Sequence, residues 1–187
     1  MGENKAQVLV LDQPVDVRPF LDEVRRRADG EKNALGFLPA SVFAELACKG
    51  NLFVAVIVQA GKPVYLGHLL FDARHAKASV LQIFVKAEER HRGVAKSLIG
   101  RLKSHLTALH FISIYANVAD ELHDANAFWE KNGFYIQRTR PGGKTRGRTI
   151  FIRCHELNSP QLFERSGIDS SNPFGLDVAL QAGRPIY

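Results

Sequence analysis

The sequence predicts an α/β (α+β) protein, a mixed and mostly antiparallel sheet of about seven strands flanked by four helices. Three observations carry that reading. Apolar runs of strand character alternate along the chain with segments whose apolar residues recur at helical spacing. Two pairs of strand-like runs are joined by glycine-containing turns, as hairpins are. The 187 residues, 45% of them hydrophobic, suffice for one sizeable core and are short for two.

Residues 7–11 alternate as a short strand, and from 17 to 28 the residues Val17, Phe20, Leu21 and Val24 fall at helical spacing with arginines opposite. Pro39 opens a second helix, in which Phe43, Leu46 and Ala47 share a face; Lys49-Gly50-Asn51 ends it as a C-terminal glycine turn does. Residues 52–59 are a near-continuous run of β-formers, Gly61-Lys62-Pro63 turns the chain, and 64–71 returns. Residues 72–77 read as another turn and 79–85 as a strand apolar enough to be buried on both faces. The clearest helix follows. Val94, Leu98, Ile99, Leu102, Leu106 and Leu109 keep helical spacing while Lys96, Arg101 and Lys103 face away. A strand over 111–118 sets Ile112 and Ile114 against Ser113, Tyr115 and Asn117 on its other face. A helix over about 120–132 is closed by Gly133, and 134–140 and 149–155 are the arms of a last hairpin.

Composition removes several classes of function. No stretch approaches the roughly 20 apolar residues that span a bilayer, and Met1-Gly-Glu-Asn-Lys5 lacks the apolar segment of a secretory signal. A cytoplasmic protein without a membrane partner is expected. Cys48 and Cys154 make no disulfide framework, and the seven histidines include no His-x-x-x-His pair, so no metal site is expected. The net charge of +6 is concentrated. Residues 131–155 hold seven basic and no acidic residues, which leaves the remainder one short of neutral. A local patch of one sign steers an anionic partner.

The stretch EERHRGVAKSLIG, residues 88–100, sets basic residues and Gly93 where a loop becomes a helix. The first turn of a helix offers up to four unpartnered N–H groups and the positive end of its dipole. With Gly93 and Ala95 letting the backbone approach, and Arg90, Arg92 and Lys96 supplying charge, the junction suits a diphosphate. A glycine-containing surface turn with basic neighbours is the competing reading.

Val85-x-x-x-x-Arg90-x-x-Gly93-x-Ala95 resembles motif A of the GNAT superfamily of acyl-CoA-dependent N-acetyltransferases, and Ala125-Asn-Ala-Phe-Trp-Glu-Lys-Asn-Gly133-Phe134 is similar to its motif B. The motifs cover residues 79–135, and the order of elements extends the likeness to about 7–156. The resemblance implies a sheet with a splayed central pair of strands and an acetyl-CoA site. Backbone amides of His91, Arg92, Gly93, Val94, Ala95 and Lys96 would hold the pyrophosphate, with Arg90 holding the loop. A bulge in the preceding strand would open the gap for the pantetheine arm, which pairs with backbone at Ile83, Phe84 and Val85. One freed N–H there would polarise the thioester carbonyl.

The sequence departs from the family at the acid. Many members carry a motif B tyrosine, where this chain has Trp129; indole is no acid, and the resemblance leaves Trp129 to pack against the pantetheine arm or the core. The motif's asparagine falls on Leu122, with Asn126 one helical turn away. Asn126 and Trp129 are counted with the cofactor-binding residues. Protonation of the thiolate falls to Tyr115, Tyr135 or water. The candidate bases are Glu88, Glu89, His68, Asp120 and Glu121, with Asp120 and Glu121 first because the cleft should open just past the fifth strand.

The expected function is transfer of an acetyl group from acetyl-CoA to a primary amine by direct attack, on a macromolecular or anionic acceptor. The alternative is a non-catalytic module that binds acyl-CoA or nucleic acid. Arg138, Arg140, Lys144, Arg146 and Arg148 would grip an anionic partner such as tRNA, DNA or an acidic protein; without interleaved aromatics they form no stacking platform, and a solvated loop is the competing reading. Residues 1–157 are expected to form the GNAT-like domain. Residues 158–187, with Phe163, Phe174, Leu176, Val178 and Leu180 among polar and breaker residues, are expected to pack on that core or on a second subunit of a homodimer.

Overall fold

In the computed structural model, residues 7–31, 35–142 and 147–157 are described. The chain forms β1 (Leu9–Leu11), α1 (Pro14–Val17), a 3-10 turn (Arg18–Phe20), α2 (Leu21–Gly30), α3 (Ala40–Cys48), β2 (Leu52–Gln59) and β3 (Lys62–Arg74). It continues through β4 (Lys77–Val85), a second 3-10 turn (Ala87–Glu89), α4 (Val94–Ala108), β5 (Ser113–Ala119), α5 (His123–Lys131), β6 (Tyr135–Pro141) and β7 (Thr149–Glu156). The seven strands make one sheet in the order β1-β2-β3-β4-β5-β7-β6. Only β4 and β5 run parallel, because α4 carries the chain across between them. The expected mixed, mostly antiparallel sheet is therefore present. Among the described residues no helix is long and apolar enough to cross a membrane.

Four element boundaries differ from the sequence reading, two of them for a clear local reason. The helix expected from 17 to 28 starts at Pro14, whose missing N–H costs nothing in a first turn, and is interrupted by the 3-10 turn at Pro19. The turn expected over 72–77 shrinks to His75 and Ala76, whose φ values of +50° and +63° give the left-handed pair that a two-residue hairpin uses. The strand expected from 111 starts at Ser113, and α5 starts at His123 after a turn through Asp120–Leu122.

Two apolar layers sandwich the sheet. On one face Leu98, Ile99, Leu102 and Leu106 of α4 pack with Phe53, Leu69, Phe71, Val80, Ile114 and Trp129. On the other, Val17, Val24 and Ala28 of the first helical stretch and Phe43, Leu46 and Ala47 of α3 pack with Leu52, Val54, Leu70 and Phe84.

One irregularity decides which residues of β4 face which layer. Leu70 of β3 pairs with Gln82 and Phe71 with Val80, so Leu81 is an extra residue with no partner on β3. The bulge reverses the alternation. Ala78 and Val80 face the α4 layer, Phe84 faces the opposite layer, and Leu81 is left exposed. Pairing with β5 stops at the same place, the last pair being Val80 with Ala116. Beyond it the two parallel strands diverge.

Candidate functional site

The opened stretch of β4 is where unpaired backbone collects. Lys86 N–H donates to Leu66 O at 2.9 Å, which fixes the alternation of the β3–β4 ladder. Phe84 therefore turns its N–H and C=O toward β3, while Ile83 and Val85 turn theirs toward the gap that β5 leaves. Of the three residues expected to offer backbone to an extended ligand, the register selects Ile83 and Val85; Phe84 contributes its side chain instead.

The loop after β4 leads directly to the N-terminus of α4. Gly93 caps the helix at φ +86°, a left-handed conformation that glycine adopts freely, and a Cβ there would meet nothing within 4 Å. His91 is also left-handed, at φ +62°. Ser97 N–H turns back to Gly93 O at 2.9 Å, so the amides of Val94, Ala95 and Lys96 point out of the helix end into open space. Arg90 Nε reaches Val85 O at 3.4 Å and its guanidinium stands 4.0 Å from Glu31, while Arg92 pairs with Glu89 at 3.2 Å. Open backbone and an anion-attracting helix end thus lie at consecutive positions of one chain segment. An extended ligand ending in phosphates fits that sequence of donors.

On the sheet face away from α4, a cavity of about 200 Å³ lies between the end of α2 and the opened strand, lined by Arg26, Arg27, Gly30, Glu31 and Phe84. Apart from Phe84, neither spacing nor motif singles these residues out in the sequence. Phe84 stacks on His68 with centroids 5.6 Å apart, and His68 Nδ1 shares a 2.6 Å hydrogen bond with Tyr65 OH. Tyr65 and His68, three apart on a strand, share a face only because Leu66 is itself a bulge between paired Tyr65 and Gly67. Burial pushes the His68 imidazole down to about 3, only partly offset by the neighbouring Gln82, so His68 is neutral at ordinary pH. With no exposed surface it is not placed to meet an acceptor amine as a base.

The other candidates separate clearly. Asp120 and Glu121 lie at the diverging end of β5. Desolvation works against the Asp120 carboxylate, but hydrogen bonds from Glu121 and from backbone amides together hold it below the usual range, which weakens it as a base. Glu121 pairs with Arg148 at 3.2 Å. Tyr115 sits opposite Ser79, one pair before the gap opens. Tyr135 donates to Glu156 at 2.9 Å on the far side of β7; that bond, the nearby Cys154 and desolvation raise its phenol above the ordinary value, which disfavours proton donation.

Two expected cofactor residues belong to the scaffold instead. The Asn126 amide donates to Ala119 O at 2.9 Å and Leu122 O at 3.0 Å, and its oxygen accepts from Arg153 Nε at 3.0 Å. No polar atom of that side chain is left for a cofactor. Trp129 is buried in the α4 layer, its ring 4.7 Å from that of Phe134. Of the basic hairpin, Arg138 and Arg140 lie on the fully exposed edge strand β6, whereas Lys144, Arg146 and the extension over 158–187 lie outside the described residues.

Solved structures share this arrangement. Ard1 from Thermoplasma volcanium superposes with a TM-score of 0.67 at 17% identity, covering 81% of this chain and 99% of that one. NAA60 from Arabidopsis thaliana, solved with a bisubstrate analogue, gives 0.68 at 14% identity with the same coverages. The putative acetyltransferase yncA from Salmonella typhimurium, solved with acetyl-CoA, gives 0.64 at 14%, covering 89% of this chain and 99% of that one. At such identities the likeness establishes the fold. No curated protein matches the chain by sequence. Residues 21–134, from α2 through the bulged strand and the α4 cap to the end of motif B, match the profile described as the acetyltransferase (GNAT) family, and the chain belongs to that family.

Proposed function

We propose that the chain transfers an acetyl group from acetyl-CoA to a primary amine by direct attack within a complex of both substrates. The observation that carries this reading is the coincidence at Leu81, where one bulge ends the β4–β5 pairing and leaves Ile83 and Val85 backbone facing the gap, just ahead of the open amides of α4. Val94, Ala95 and Lys96 amides, with His91, Arg92 and Gly93 beside them, hold the pyrophosphate; Arg90 ties the loop to the strand end. That yncA was solved with acetyl-CoA and NAA60 with a bisubstrate analogue supports the same donor here.

In the reaction the amine nitrogen bonds to the acetyl carbon, the carbon–sulfur bond breaks, the nitrogen loses a proton and the thiolate takes one. An N–H of Ile83 or Val85 directed at the carbonyl oxygen stabilises the charge that develops there, an effect of about 3 kcal/mol for a single donor. Asp120 and Glu121 at the end of β5 are the candidates to collect the amine's proton, Asp120 held ionised by its hydrogen bonds and Glu121 engaged by Arg148 until the acceptor arrives. Tyr115, beside the opening, donates to the thiolate. The exposed Arg138 and Arg140 support an anionic extension of the acceptor along β6.

Calorimetric titration with acetyl-CoA of the wild type, Gly93→Ala and Gly93→Glu tests the donor site. Both variants share the left-handed strain, but only Glu places a carboxylate before the helix end. Binding by the wild type, retained by Ala and abolished by Glu, is expected; a wild type that does not bind sinks the proposal. Release of free thiol on adding amines separates the enzyme from a non-catalytic acyl-CoA module.

A further inference from the structure

We infer that the cavity between α2 and Phe84 selects an acceptor whose primary amine has a carboxylate on a short tether. The inference rests on the acetyltransferase reading and deepens it. The cavity adjoins the donor site twice over. Phe84 belongs to the opened stretch of β4, and Glu31 stands 4.0 Å from Arg90 of the phosphate loop.

Its charges fall into two poles. Arg26 and Arg27 are both braced by one carboxylate, Glu23, which bonds Arg27 Nε at 2.9 Å and Arg26 through a terminal nitrogen. A guanidinium carries five donors, so each fork keeps most of its N–H groups for a second anion while Glu23 holds it in place. Arg27 also lies close enough to Tyr65 to oppose the rise that burial gives that phenol, which puts its charge on the sheet side of α2.

The second pole is negative. Glu31 follows the last turn of α2, where the helix carbonyls lack partners and the dipole is negative, and its distance to Arg90 exceeds that of a hydrogen bond. An ammonium is favoured there. Arg27 and Glu31 are four residues apart, a spacing that puts side chains about 5–6 Å from each other at their Cβ atoms on a helix. That separation suits an amine and a carboxylate a few bonds apart. The volume of about 200 Å³ admits an amino acid or one terminal residue. Phe84 supplies the apolar wall between the poles.

The same chemistry arrives either as a free amino acid or as the first residue of an acidic peptide, and the test separates them. The full chain is given acetyl-CoA with glutamate, with glutamine α-amide, which carries no carboxylate, or with hexapeptides beginning Glu or Gln and otherwise identical, and release of free thiol is followed. Each carboxylate acceptor is expected to exceed its carboxamide partner by about tenfold or more in kcat/KM, the range of one charged hydrogen bond. Arg27→Gln, and independently Arg26→Gln, should erase that ratio without changing acetyl-CoA affinity, while Glu31→Gln should raise KM for both partners. A preference among peptides alone identifies a protein acceptor, and one among free amino acids alone a metabolite. Equal rates for carboxylate and carboxamide in the wild type overturn the inference and leave the transferase reading standing. Thiol release that no added amine raises, in a chain that binds acetyl-CoA, overturns both.

Discussion

Asn126 is the residue on which sequence and structure part most sharply. A motif reports which residue type stands at a position but not what surrounds it, and here the surroundings consume every polar atom. Arg153 is buried and bonded to Asn126 and, at 2.9 Å, to Phe134 O. Asn126→Ala would leave that charge short of a partner, so a loss of about 3 kcal/mol is expected in urea unfolding, with acetyl-CoA affinity of the folded fraction unchanged. A variant of native stability that has lost cofactor affinity would return Asn126 to the donor site. The helix start at Gly93, by contrast, is legible in the sequence, because a glycine at a loop-to-helix junction is a local backbone signal. His68 carries a further consequence. Its native value near 3 lies below the ordinary 6.5, so the imidazole's contribution to stability is complete above about pH 6.5 and is lost progressively as pH falls toward 3. A slope of up to about 1.4 kcal/mol per pH unit should appear in urea midpoints between about pH 6.5 and pH 4.5, with His105, also lowered mainly by burial, acting in the same direction. His68→Gln should flatten the slope; an unchanged slope would contradict the assignment.

At the scale of elements, seven strands and the principal helices were readable because their apolar periods are long and their ends carry glycine and proline. The Leu81 bulge was not. Residues 79–85 are apolar enough to suit either face, so nothing local marks the residue at which the faces exchange. The arginines of α2 escaped notice for a related reason, since on the helix they read as a solvated face and acquire a role only when β4 arrives opposite. Gly67 tests how tightly the opened strand is held. A Cβ there would come 2.3 Å from Phe84 O, so Gly67→Ala must push β3 and β4 apart. A loss of about 2–3 kcal/mol is expected, together with weaker acetyl-CoA binding, because the same shift moves Ile83 and Val85. Calorimetry on the folded variant reads the second effect. Destabilisation with full affinity would separate the gap from the ligand.

The whole molecule is two apolar layers on one sheet, and the described fold closes on itself. Leu157 N–H returns to Ile112 O at 2.8 Å and its side chain packs on the α4 layer, so the last strand is fastened at both ends. A chain ending at Leu157 is therefore expected to unfold cooperatively and to bind acetyl-CoA as the full chain does. Equilibrium unfolding and titration check this, and loss of either would make residues 158–187 part of the core unit. Charge was readable at this scale as a cluster, but its division was not: Arg148 is committed to Glu121 and Arg153 is buried, which leaves Arg138 and Arg140 as the exposed pair on β6.

Leu81 acts on β4 as an inserted letter acts on a reading frame. Even-numbered side chains before it and odd-numbered ones after it face the α4 layer, so the numbering changes phase while both halves stay in register with β3. Deleting that single residue would leave the composition almost untouched and every neighbouring side chain on the face it already occupies, yet β4 would then run on without the irregularity at which its pairing with β5 ends. The gap to β5 would close while the floor of the cavity stayed where it is, since only the gap is written by that slip.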